Sequence, residues 1–198
     1  MTVGPVTLGP ITVGLVSDTH GLFDPRLVQI FGGCQLILHA GDVGSEDVLD
    51  ELRRIAPVRA VRGNVDPPSS NLPLTLTLTV AGLTIHMLHI LPAAQSDLAA
   101  WSGSAAESRA LPQAAIRLLD AFDPAVGLVL FGHSHQPCLI EFEDMLWVNP
   151  GSAGRKRFKL PRTCARLEIS GDVVKVQVVP LEPYGGALPR PVRFRRKL

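Results

Sequence analysis

Cysteine is scarce in this chain: Cys34, Cys138 and Cys164 are odd in number and too far apart for a metal finger. That excludes a disulfide scaffold and a thiolate zinc site. The three read as reduced, structural thiols in a reducing compartment, the cytoplasm. An excess of one charge is also missing. At a formal net charge of +1, bulk electrostatics favours neither a nucleic-acid partner nor a membrane surface, so any grip on a charged substrate must be local. No apolar run reaches the roughly 18 residues that a membrane helix needs. The opening MTVGPVTLGPITVGLV is apolar but lacks a basic stretch and contains two prolines, so it does not read as a signal peptide.

What the chain does have is material for a core. Hydrophobic residues make up 46% and charged residues 19% of 198, enough for one compact domain. Short apolar runs alternate with amphipathic segments, the pattern of an α/β class. Strands are expected over Ile11–Val16 and residues 35–39 and 57–62. Helices are expected after Asp24-Pro25, stopping at Gly32-Gly33, and over 46–55 with Ser45 as cap. Residues 74–80 and Leu83–Leu88 read as a hairpin around Ala81-Gly82. Residues 92–110 are Ala- and Ser-rich and ambiguous, with Trp101 among them. Residues 112–122 read as a helix with Ile116, Leu119 and Phe122 on one side. A buried strand over 126–131 is followed by strands at Cys138–Phe142, 145–148, 162–169 and 173–179.

Polar residues fit for metal binding follow five of these strands in turn: Asp18-Thr19-His20, Gly41-Asp42, Gly63-Asn64-Val65-Asp66, His89, and Gly132-His133-Ser134-His135. Carboxyl ends of neighbouring strands in an open α/β sheet share one crevice, so these residues converge. Read as extended chain, Asp18-x-His20 and His133-x-His135 each put two side chains on one side. The glycines at 41, 63 and 132 are expected to let the backbone turn sharply. Two carboxylates, an amide oxygen and four imidazoles make a mixed nitrogen and oxygen set. It suits Mn first, then Ni, Fe, Zn or Co, and argues against calcium. It is large enough for two divalent ions sharing a carboxylate, which would lower a water's pKa towards about 7 and supply a bridging hydroxide. His39 and His86 point to core or supporting roles.

At these motifs the sequence resembles the calcineurin-like metallophosphoesterases, whose series is D-x-H, G-D, G-N, H and G-H-x-H. It is most similar to their small single-domain bacterial and archaeal phosphodiesterases. The resemblance runs from about Ile11 to Val179 and includes the turn Asn149-Pro150-Gly151-Ser152. It implies a four-layer α/β/β/α sandwich of two facing mixed sheets flanked by helices, over residues 1–181, with 182–198 as a Pro/Gly-rich basic tail. By position, Asp18, His20 and His135 would hold one metal, Asn64, His89 and His133 a second, and Asp42 would bridge. Asn64 would also neutralise phosphoryl charge. Asp66 stands where many relatives carry a histidine that protonates the leaving group; it would take that part if burial raised its pKa, or else cap a turn before Pro67-Pro68. His89-Ile90-Leu91 replaces the frequent H-G-H and suggests an apolar pocket wall.

The implied activity is phosphodiester hydrolysis, with phosphomonoesterase or nucleotidase as the alternative. The related eukaryotic retromer subunit supplies a third reading, a protein-interaction scaffold without turnover. Arg155-Lys156-Arg157 would lie near the metal mouth and grip substrate phosphate, unless it is a solvated loop. Arg190, Arg193, Arg195, Arg196 and Lys197 would contact nucleic acid or an acidic partner, or form a solvated, frayed terminus. An exposed hairpin edge at 74–80 would favour a homodimer.

Overall fold

A computed structural model describes residues 9–106, 113–157 and 159–195. In chain order the elements are β1 (Ile11–Val16), α1 (Arg26–Ile30), β2 (Leu36–His39), α2 (Glu46–Arg53) and β3 (Val58–Ala60). A 3-10 turn at Pro68–Ser70 leads to β4 (Thr75–Val80), β5 (Leu83–Leu88), α3 (Gln95–Ala106), α4 (Gln113–Leu119) and β6 (Leu128–Leu130). Then come β7 (Cys138–Phe142), β8 (Met145–Asn149), β9 (Thr163–Ser170), β10 (Val173–Pro180) and β11 (Val192–Arg195). The strands form a six-stranded sheet ordered β11-β10-β9-β1-β2-β3 and a five-stranded sheet ordered β4-β5-β6-β8-β7.

Period-two alternation assigns each strand's side chains to two different cores. Val13, Leu15 and Leu167 face Ile85, Leu130 and Val148 of the other sheet. On the outer face of the larger sheet, Val16 and Ile37 are covered by Leu27, Phe31, Leu49 and Leu52 of the α1 and α2 regions. Leu98, Ala115 and Leu118 of α3 and α4 cover Val129 and Trp147 outside the smaller one. The layers therefore run α/β/β/α. Among the described residues no helix is long and apolar enough to cross a membrane.

Several details differ from the sequence reading. The buried stripe of α4 is Ala115 and Leu118, continuing to Phe122, while Ile116 is exposed. Within the segment expected to be a tail, Val192–Arg195 pairs with β10, because Phe194 is buried in the core between the sheets. Arg195 pairs with Asp172 at 3.3 Å, and Arg196 and Lys197 lie outside the described residues, as does the Trp101 side chain. β4 is an edge strand, as the hairpin pattern suggested. All three cysteines are free and buried, and burial pushes the Cys138 thiol up to about 12.

One buried ion pair ties the helical layer to the loops above the sheet. Arg162 donates to Ala153 O at 2.8 Å and to Gly154 O at 2.6 Å, and meets Asp24 at 2.7 Å. Asp24 also accepts from Arg26 Nη2 at 2.6 Å. The Arg26 guanidinium, against the opposing effect of burial, holds the Asp24 carboxyl down at about 2. A carboxylate whose pKa falls on folding stabilises the fold above its unfolded value and loses that contribution as pH drops through the folded one. Asp24 therefore contributes on the order of 2 kcal/mol at neutral pH, lost from about pH 4 down to about pH 2. Urea titrations should show Asp24→Asn less stable at pH 7 and converging with the parent near pH 2.

Candidate metal centre

β1, β2 and β3 run parallel, as do β5, β6 and β8. Their carboxyl ends open onto one cup. Backbone bonds lock the loops together: Asp18 N donates to Gly41 O, His20 N to Asp42 O, Gly132 N to His89 O and Gly154 N to Asp18 O, each at 3.0 Å. All seven expected donors meet there. His135 Nε2 lies 3.2 Å from Asp18 Oδ1 and 3.2 Å from His20 Nε2. His89 Nε2 lies 3.3 Å from Asp42 Oδ1 and 3.1 Å from Asn64 Oδ1. Asn64 Oδ1 is also 2.9 Å from His133 Nδ1. Asp42 reaches both ends of the cup, with Oδ2 3.9 Å from His20 Nε2.

The loops are not the extended segments expected from the sequence. Asp18, His20, Asp42, His133 and His135 have φ of 54°, 49°, 53°, 68° and 58°, all left-handed. Non-glycine residues adopt this region rarely and at a cost of roughly 1–3 kcal/mol each. Side chains two residues apart share a side here through paired kinks, not through strand alternation. Of the three glycines, Gly41 alone has positive φ, at 90°. A Cβ at Gly63 would collide with Asp42 Oδ1, and one at Gly132 with Ser17 Oγ, so both serve close approach.

The donors fit divalent cations. Asp18 Oδ1 is the one buried side-chain nitrogen or oxygen among the described residues without a hydrogen-bond partner, and it faces the Nε2 atoms of His135, His20 and His89, each a metal ligand in the tautomer that leaves Nε2 unprotonated. Such an oxygen is costly to leave unmet, and a cation among Asp18, His20 and His135 satisfies it. Asp18, Asp42 and His89 form a second group within ion-binding reach. His89 donates Nδ1–H to Ala40 O at 2.7 Å, which turns Nε2 into the cup. Burial would lower its pKa, but the Asp42 hydrogen bond and the Asp18 charge raise it on balance. Burial would likewise raise Asp42, yet hydrogen bonds from His89 and Val65 N hold it at about 2. At the other end, burial and then the Arg157 charge lower His20, which puts the Arg155–Arg157 loop within electrostatic reach of the cup.

Asp66, expected either to donate a proton or to cap a turn, bonds to backbone. Its Oδ2 accepts from Val43 N at 3.1 Å and Gly63 N at 2.8 Å, and its Oδ1 from Gly44 N at 2.8 Å. Both oxygens clamp the Asp42 loop to the Asn64 loop, and backbone donors on each favour the ionised form over the proton-carrying one. Asp66→Asn, which can keep at most part of that clamp, should lower the melting temperature by about 4 °C. It should leave the shape of the pH–rate profile unchanged, whereas a proton donor would lose its limb.

His39 supports the cup without entering it. Its Nδ1 accepts from Gly41 N at 3.2 Å, so its Nε2–H donates to Thr19 Oγ1 at 2.9 Å. Burial lowers it to about 4, which keeps the ring neutral. His86 instead meets Thr77 at 2.8 Å and Phe122 edge-on, away from the donors. Two supports carried no role in the sequence reading. Ser17 Oγ donates to Asp18 Oδ2 at 2.6 Å, and the buried Asn149 amide donates to Gly132 O and Ser134 Oγ at 3.0 Å each. Asn149 is visible in the sequence as the start of the Pro-Gly turn; Ser17 has no such signal.

The profile of the calcineurin-like phosphoesterase superfamily domain matches residues 11–172. A probable metallophosphoesterase of Methanocaldococcus jannaschii is 30% identical over 180 residues, covering 88% of this chain and 83% of the relative. Among solved structures, a conserved Streptococcus pneumoniae protein described as a predicted phosphoesterase superposes with TM-score 0.64 at 23% identity, covering 96% of this chain and 99% of its own. Vps29 of Entamoeba histolytica, complexed with Zn2+, superposes with TM-score 0.65 at 21% identity, over 93% and 99% of the two chains. These two likenesses speak to the fold, and the profile and the archaeal relative to the family: the chain belongs to the calcineurin-like phosphoesterase superfamily, as a metal-dependent phosphoesterase.

Proposed function

We propose that the cup holds two divalent cations and that the protein hydrolyses phosphodiesters. The observation that carries the reading is the orphaned Asp18 Oδ1 set against His20 and His135. Asp18, His20 and His135 hold one ion, Asn64, His89 and His133 the other, and Asp42 lies between them. Bound there, two such ions supply a nucleophile at neutral pH and charge neutralisation on phosphate. The protein's own groups do the positioning. Asn64 turns its Oδ1 to His89 and His133, which leaves its amide N–H2 to donate to a phosphoryl oxygen. Arg157, whose charge reaches His20, draws the anionic substrate to the opposite rim.

Diester preference is supported by room for two organic arms. A cavity of about 480 Å³ lies beside Asn64 and His89, and another of about 440 Å³ lies beside His133. Ile90 lines both. With Asp66 occupied, the protein works best on leaving groups that depart without a proton. Purified protein with Mn should hydrolyse bis(p-nitrophenyl) phosphate faster than p-nitrophenyl phosphate, and exhaustive chelation should cut turnover by at least about 10³-fold. Turnover that survives chelation would remove the metal reading, and faster monoester hydrolysis would replace the diester one. Bound metal without turnover on either ester would favour a scaffold.

A further inference from the structure

The cavity beside Asn64 and His89 differs from the cup it adjoins. Leu74, Leu88, Ile90 and Pro68 contribute apolar walls, and Arg62 stands among the lining residues. Leu74 is 63% and Ile90 50% exposed. They are two of the few large apolar side chains left in water, and both face this opening. Its volume of about 480 Å³ falls in the range of small-molecule sites. Among the described residues the Arg62 guanidinium has no ion-pair partner, and guanidinium planes stack on aromatic faces. In an in-line displacement the leaving group departs opposite the attacking oxygen, and the ester arm that stays on phosphorus lies off that line. The cavity flanks Asn64 and His89, where a retained arm can be received.

We propose that this cavity is a specificity pocket for an apolar, ring-bearing ester arm retained by the phosphate, walled by Leu74 and Ile90. The proposal rests on the phosphoesterase reading and names its substrate class. The sister cavity mixes apolar Leu91, Ala93 and Phe131 with polar Gln95, Ser134 and Gln136, whereas Arg62 stands only at the first.

The test uses two diesters with one leaving group, p-nitrophenyl phenyl phosphate and p-nitrophenyl methyl phosphate, so that leaving-group basicity cancels. With Mn, kcat/KM should favour the phenyl ester by about tenfold, the scale of burying part of a ring. Leu74→Ser and Ile90→Ser, both at exposed positions where folding is not at risk, should each reduce that ratio at least about threefold. A ratio near one in the parent, or a ratio that both variants leave unchanged, overturns the pocket. A second readout does not need turnover. In isotopically labelled protein with zinc, phenylphosphonate should shift the Leu74 and Ile90 methyl signals and methylphosphonate should not. Phenyl-specific shifts without hydrolysis of either ester under Mn, Ni, Co or Zn would keep the pocket and discard the phosphoesterase reading. Hydrolysis without those shifts would do the reverse.

Discussion

Replacing Asp18 by asparagine should give a protein that no longer turns over phosphoesters yet melts higher than its metal-free parent. Asp18 Oδ1 is buried without a partner, and Asp18 faces His135, His20 and His89 with its one unmet oxygen. In the absence of cations that oxygen is a desolvated charge, costing roughly 1–3 kcal/mol. Asparagine keeps one oxygen for the bonds now made by Ser17 Oγ at 2.6 Å and His133 N at 3.1 Å. It offers the imidazole nitrogens an N–H in place of the second. The metal-free variant should therefore melt about 4 °C higher. The same change removes the charge that gathers the ions, and kcat/KM should fall by at least about 10³-fold. Calorimetry in chelator and a metal titration check both halves. A variant that melts lower without metal would show that Asp18 is satisfied in some other way.

The second large effect is expected at a residue with no side chain. Gly63 lies so close to the Asp42 loop that an added Cβ would strike Asp42 Oδ1 and Asp42 N, with Asp42 Cα at 2.8 Å. Two of the three are backbone atoms, and Asp66 fixes the flanking Val43 N and Gly63 N, so they cannot swing aside. Gly63→Ala must displace the carboxylate that spans the two ends of the cup. A shift of about 1 Å in such a group costs on the order of 10²-fold in rate. Destabilisation of about 2 kcal/mol should accompany it. The check is kcat/KM with saturating Mn alongside thermal melting. An alanine variant with parental kinetics would show that the Asp42 loop has slack the geometry does not reveal.

The motifs were legible because each ends a strand, and strand ends in this topology meet. Asp18, Asp42, Asn64, His89 and His133-x-His135 could be gathered from spacing alone, and β1 coincides with the apolar run Ile11–Val16. What spacing could not convey was conformation. The left-handed φ at Asp18, His20, Asp42, His133 and His135 is held by hydrogen bonds between loops distant in sequence, and the enrichment of Asp and His in that region is too weak a signal to place it. The choice between the two parts open to Asp66 was illegible for the same reason: its three backbone partners come from the 43–44 and 63 loops. Ile116 went to the wrong side of α4 because a short amphipathic helix leaves its phase open by one residue. β11 was missed because a Val-x-Phe pair is too short a pattern amid arginines, yet Phe194 completes a core built by residues far upstream.

The position of β1 governs when the cup can exist. It lies in the middle of its sheet, parallel to β2 on one side and antiparallel to β9 on the other, and the loop after it is held by Ser152, Ala153 and Gly154. On the ribosome the first strand emerges early, but its second neighbour is made about 150 residues later, many seconds afterwards at ordinary elongation rates. His135 is made before that neighbour, so Asp18 and His20 gain the side chain they face first and their backing last. Assembly of the cup consequently waits for β9, whatever the order in which its own residues emerge.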